Sequence, residues 1–124
     1  MFHEGALTSE IIGAAIEVHR NSGPGLLESV YQACLAREFS IRKLSFEQQR
    51  SLPVEYRGMC IDCGYRLDFV VARKVVLELK SVEAILGVHE AQLLTYLKLS
   101  GLRVGLLINF NVPVLKDGIR RLVL

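Results

Sequence analysis

No stretch of the sequence approaches the roughly 18 consecutive apolar residues that a membrane-spanning helix needs. The segment from Met1 to Glu10 lacks a basic-then-apolar leader and carries Glu4 and Glu10 instead. Neither charge sign is in large excess: 15 Lys and Arg stand against 13 Asp and Glu, a net charge of +2. That balance excludes a polybasic, tail-like binder and leaves room for a local basic groove. Repeats, low-complexity tracts and linker-like runs are absent. Cysteine is scarce and odd in number, at 3, which argues against a disulfide framework. Cys60 and Cys63 have metal-type spacing, but a structural zinc site needs four ligands and Cys34 brings no second pair. Reduced thiols in or near a strand are the expectation. Together these absences predict a soluble, cytoplasmic protein without membrane contact.

What is present is a composition of 51% apolar and 23% charged residues in 124 residues, enough for one domain spanning 1–124. Thr8-Ser9-Glu10 offers an N-cap before Ile11, Ile12, Ala15, Ile16 and Val18, which have helical spacing. Asn21 to Gly25 stops that helix. A second is predicted from about Leu26 to Lys43, burying Leu27, Val30, Tyr31, Cys34, Leu35 and Phe39.

From Phe46 the period changes to two. Leu52, Val54 and Tyr56 alternate up to a hairpin turn at Arg57-Gly58, and Ile61 to Val71 alternates again. Arg73-Lys74 turns into a strand over Val75 to Val82. A helix follows from about Val88 to Leu99, closed by Ser100-Gly101. Arg103 to Phe110 reads as a strand covered on both faces, and Ile119 to Leu124 as an edge strand. The predicted order is α-α-β-β-β-α-β-β: an α/β (α+β) fold with a central mixed sheet flanked by helices.

Alternation puts Glu78 and Lys80 on one face of their strand and Leu77 and Leu79 on the other. On the preceding strand Leu67 and Phe69 face one way and Asp68 the other. Pairing across Arg73-Lys74 then brings Asp68 close to Glu78. Two carboxylates and an ammonium on a sheet face are costly unless a cation or solvent compensates them. Hard oxygen ligands favour Mg²⁺ or Mn²⁺. The plainer alternative is an exposed sheet face with an ordinary Glu–Lys neighbour pair.

Asp68 followed by Glu78-x-Lys80 resembles the core motif of the PD-(D/E)xK nuclease superfamily. Gln92-Leu93-Leu94-Thr95-Tyr96 is similar to the Gln-x-x-x-Tyr helix motif of its RecB-like branch. Gly25-Leu26-Leu27-Glu28-Ser29-Val30-Tyr31 resembles the signature of the small GxxExxY family, assigned to the same superfamily. The likeness runs from Ile11 to Phe110, with these motifs in order.

The resemblance implies a restriction-endonuclease-like core and a metal-dependent hydrolase of nucleic-acid phosphodiesters, with DNA preferred to RNA. It implies Asp68 and Glu78 as metal ligands, joined by the backbone carbonyl of Leu79 and by Glu28, directly or through water. Lys80 would orient the attacking water or neutralise charge on the phosphate. Gln92 would brace the site or touch the nucleic-acid backbone, and Tyr96 would pack beneath it.

The residues themselves leave other roles open. Glu28 also suits the first turn of a helix through the helix dipole. Tyr31 lies on an apolar stripe and suits the core, and His19 and His89 suit capping or packing. Lys116, Arg120 and Arg121 either solvate the C-terminal edge or contact phosphates. A chain this short has no room for a separate sequence-reading domain, so specificity would come from loops, a homo-oligomer or a protein partner. The alternative function is a non-catalytic nucleic-acid- or protein-binding regulatory module that keeps the nuclease fold.

Overall fold

Among the described residues, three α-helices, seven strands and one 3₁₀ turn follow one another. The computed structural model describes residues 4–62 and 64–124. Helix α1 (Gly5–Ser22) begins three residues before the expected cap. Thr8 lies inside it because its hydroxyl donates back to the Gly5 carbonyl at 3.0 Å. Ile11, Ala14, Ala15 and Val18 form its buried stripe, and Gly23, at φ 67°, ends it.

Helix α2 (Glu28–Ile41) starts two residues later than expected and buries Tyr31, Leu35 and Phe39. Leu27 is extended and 73% exposed, and Val30 is exposed as well, which corrects their predicted burial.

The two predicted hairpin arms are each broken in two. Strands β1 (Phe46–Ser51) and β2 (Val54–Tyr56) are separated at Leu52-Pro53, where proline brings no ladder N–H. Strand β3 (Met59–Ile61) pairs with β2 around Arg57 and Gly58, both at positive φ as a tight hairpin turn requires. Asp62 Oδ1 then accepts the Gly64 N–H at 3.2 Å, a side-chain turn that parts β3 from β4 (Arg66–Val71). Cys63 lies outside the described residues, so the Cys60–Cys63 spacing has no described geometry.

Strand β5 (Val75–Lys80) ends two residues before the expected Val82. Helix α3 (Gly87–Ser100), strand β6 (Val104–Asn109), a 3₁₀ turn at Leu115–Gly118 and strand β7 (Ile119–Val123) complete the chain. The order is therefore α-α-β-β-β-β-β-α-β-β, two strands richer than predicted, and the fold class is the predicted α+β.

Five strands form one mixed sheet in the order β1-β4-β5-β6-β7; β2 and β3 form a separate two-stranded ribbon. Only β5 and β6 run parallel, and α3 is their crossover. They are central and almost wholly buried. Helices α1 and α2 cover one face, in a cluster with Phe69, Leu77, Leu79 and Ile108. Helix α3 covers the other, where Leu93 and Leu97 meet Leu67, Val70 and Val76. This architecture is that of a restriction-endonuclease-like core.

One departure from strict alternation positions the site. Leu67 packs on the α3 side with Val70, whereas Phe69 packs on the α1–α2 side. Leu67 and Phe69 therefore do not share a face. The β4–β5 ladder holds Val71–Val75, Val70–Val76 and Phe69–Leu77 and goes no further.

Candidate active site

Where that ladder stops, side chains replace it. Asp68 Oδ2 accepts the Leu79 N–H at 2.8 Å, and Glu78 Oε1 accepts the Asp68 N–H at 3.3 Å. Each carboxyl thus satisfies a backbone donor that the parted strands leave unpaired. Both are deeply placed, Asp68 at 9% and Glu78 at 6% exposure. Lys80 gives its carbonyl to the Phe110 N–H at 3.0 Å on the β6 side. The backbone groups of Leu79, one residue away, consequently face β4 and the gap beside Asp68. Its side chain is fully buried in the opposite cluster, so only its carbonyl is available to the site.

Burial and mutual repulsion govern the charge here. Glu78 is pushed up to about 9, chiefly by burial and then by the Asp68 carboxylate beside it. Asp68 is also raised by burial, against the opposing pull of the Leu79 N–H, Glu78, Lys80 and the Gln49 amide. Both carboxyls are thereby shifted toward their protonated forms.

Glu28 approaches from the first turn of α2. Its carboxyl is raised by burial and by Asp68, and Lys80 pulls it back. The loop before it is pinned from both sides. Tyr31 Oη donates to the Gly23 carbonyl at 2.5 Å and accepts the Leu26 N–H at 3.2 Å, while its ring stacks on Phe110 at 4.4 Å. Ser81, just beyond β5, donates its hydroxyl to the Leu26 carbonyl at 2.6 Å. Tyr31 is thus core, as its apolar stripe indicated, and also a clasp on the loop that delivers Glu28.

On the other side stands α3. Tyr96 is almost buried, and its hydroxyl is raised by burial and by the nearby Glu78 and Asp68 carboxyls. Gln92, one turn earlier and exposed, donates from Nε2 to Tyr96 Oη at 2.8 Å. The structure therefore gathers Asp68, Glu78, Lys80, Glu28 and Tyr96 around one gap, with Gln92 joined through Tyr96. His19 and His89 each meet the backbone: His19 Nε2 lies 2.8 Å from the Val112 carbonyl, and His89 Nδ1 accepts the Leu86 N–H at 3.0 Å.

Gln49 is a residue that sequence reasoning missed. It lies between Gln48, opposite Phe69, and Arg50, opposite Leu67, and adopts φ 51°, uncommon for a non-glycine strand residue. From there its side chain meets the Asp68 carboxylate and donates to Gln32 Oε1 of α2 at 2.7 Å. No local pattern marks it; only the β1–β4 register does.

Among the described residues no three His, Cys, Asp or Glu side chains gather tightly enough to cage a metal. A Mg²⁺-like ion does not require such a cage, because it keeps waters and takes one or two carboxylates plus substrate oxygens. The donors facing the gap are all oxygens: the Asp68 and Glu78 carboxylates, the Leu79 carbonyl and, from α2, Glu28. A divalent cation would relieve both the burial cost of these carboxylates and their mutual repulsion, so the residues fit such an ion.

The family model of the PD-(D/E)XK nuclease superfamily matches residues 5–122. No curated protein and no solved structure matches the chain.

Proposed function

Because the chain belongs to the PD-(D/E)XK nuclease superfamily, we propose that it is a divalent-metal-dependent nuclease that hydrolyses phosphodiester bonds, in DNA before RNA. The observation that carries the reading is the buried Asp68–Glu78 pair at the point where β4 and β5 part. A structural role alone does not call for two adjacent buried carboxyls, both raised, at the end of a central strand. Membership of the GxxExxY family within the superfamily rests on Gly25, Glu28 and Tyr31.

Asp68, Glu78, Glu28 and the Leu79 carbonyl would hold Mg²⁺ or Mn²⁺. When bound, the ion supplies positive charge that polarises phosphoryl oxygens and makes water more acidic. Lys80 carries three N–H donors and no acceptor, so it serves the substrate side by orienting water and neutralising charge on the phosphate. Tyr96 packs beneath the site with its hydroxyl oriented by Gln92, which is itself exposed enough to touch a nucleic-acid backbone. Gln49 holds the Asp68 carboxylate in place.

The test mixes single- and double-stranded DNA and RNA with Mn²⁺ or Mg²⁺ and compares wild type with Lys80→Ala. Cleavage by wild type is expected, with a loss of about a hundredfold or more in Lys80→Ala. Mn²⁺ affinity by calorimetry should persist in Lys80→Ala and disappear in Asp68→Asn and Glu78→Gln. Salt-dependent binding without cleavage by wild type would establish a non-catalytic module instead. Equal rates in Lys80→Ala would remove the lysine from the reaction.

A further inference from the structure

The α3 side of the molecule carries a cleft of about 330 Å³ whose walls include Tyr65, Val88, His89, Gln92, Thr95 and Tyr96. We propose that this cleft receives a single unpaired nucleobase, stacked on Tyr65, and that the protein therefore acts on single-stranded or frayed nucleic acid. The inference rests on the nuclease reading and narrows its substrate.

Two tyrosines set the geometry. Tyr96 is 6% exposed and fixed in the core, whereas Tyr65 is 41% exposed. Their ring centres are 5.8 Å apart and tilted by 54°, so Tyr96 braces Tyr65 while leaving aromatic surface open to solvent. Val88, 67% exposed, adds apolar surface at the rim. An exposed, braced aromatic next to an aliphatic side chain suits a flat, uncharged ring, and stacking on such a platform tolerates any base.

The polar groups suit a base edge. Gln92 spends one amide N–H on Tyr96 and keeps its carbonyl oxygen; the Thr95 side chain is exposed on the same helix face. His89 accepts the Leu86 N–H through Nδ1, so its neutral ring presents an Nε2–H donor. Donors and acceptors lie around one apolar surface, as in small-molecule pockets of roughly 300–1,000 Å³. At the small end of that range the cleft admits a base and excludes a duplex, whose paired bases keep their faces stacked on one another.

Continuity with the carboxyl pair gives the cleft its purpose. Tyr96 lines it and packs in the buried cluster that holds Leu67, the residue before Asp68.

The experiment measures fluorescence anisotropy of labelled oligo(dT), oligo(U) and a blunt DNA duplex in EDTA, with cleavage of the same probes in Mn²⁺ run in parallel. Wild type is expected to bind the single strands more tightly than the duplex. Tyr65→Ala and Tyr65→Leu should weaken that binding about tenfold or more, and Tyr65→Trp should restore it. Comparing oligo(dT) with oligo(U) assigns the strand chemistry. Unchanged single-strand affinity in folded Tyr65→Ala, or a wild-type preference for duplex, overturns the proposal. Lys80-dependent cleavage with Tyr65-independent binding would leave the nuclease reading standing and remove the cleft. Tyr65-dependent binding without any cleavage would do the reverse.

Discussion

Glu78 is a carboxyl that the fold keeps protonated across most of the accessible pH range. Its ordinary value of 4.5 is raised to about 9 by burial and by Asp68. Between those values the folded state binds more protons than the unfolded chain, so stability falls as pH rises through the window. The contribution is fully present below pH 4.5 and lost as pH passes 9. Urea denaturation in EDTA at intervals from pH 5 to 9 should therefore show a declining midpoint. Glu78→Gln should flatten that decline, because an amide can still accept the Asp68 N–H and donate to the Asp68 carboxylate. An equal pH dependence in wild type and variant would place the titration elsewhere.

At this scale legibility was uneven. Asp68, Glu78 and Lys80 are singled out in the sequence by the short turn between their strands and by alternation, although β4 itself departs from that alternation at Leu67. Gln49 could not be read, since its meeting with Asp68 depends on β1 pairing with β4, a strand separated from it in sequence by the β2–β3 ribbon. Tyr65 reads only as one more aromatic until Tyr96 is seen to brace it.

Among the elements, α2 has the most specific task, to carry Glu28 to the end of β5. Its hydrophobic packing sits lower down, at Leu35 and Phe39, so the first turn relies on the Tyr31 clasp and on Ser81. Tyr31→Phe keeps the ring on Phe110 and loses the hydroxyl. It should cost about 1 kcal/mol in stability and weaken Mn²⁺ binding, whereas a change confined to stability would separate the clasp from the site. The helix boundaries were the least legible feature. Thr8 reads as a cap from its type and position, but its hydroxyl serves its own helix. Leu26 and Leu27 read as helical from their apolarity, yet they belong to the extended loop that Tyr31 and Ser81 grip.

For the molecule as a whole, the order of helices was legible, as were β5 and β6 from their apolar runs; β4 was read by alternation, with its start placed too early. The ribbon of β2 and β3 was misread as part of longer arms. Its residues are mostly exposed and pair mainly with each other, so no core periodicity marks where they end. Pro53 and the Asp62 turn, both local, decide its limits.

The short β4–β5 ladder has a kinetic consequence. Its three pairs lie next to the Ala72–Arg73 turn and form by local contacts, early and without reference to charge. Drying the Asp68–Glu78 end belongs to the final closure, after most of the apolar surface is already covered. An interaction made that late acts on the rate of leaving the native state and hardly on the rate of reaching it. Stopped-flow chevrons in EDTA should then show the unfolding limb rising from pH 5 to pH 8 while the refolding limb stays in place. A refolding limb that slows with pH would mean that the carboxyls meet in the transition state, and that the hairpin zips from its charged end.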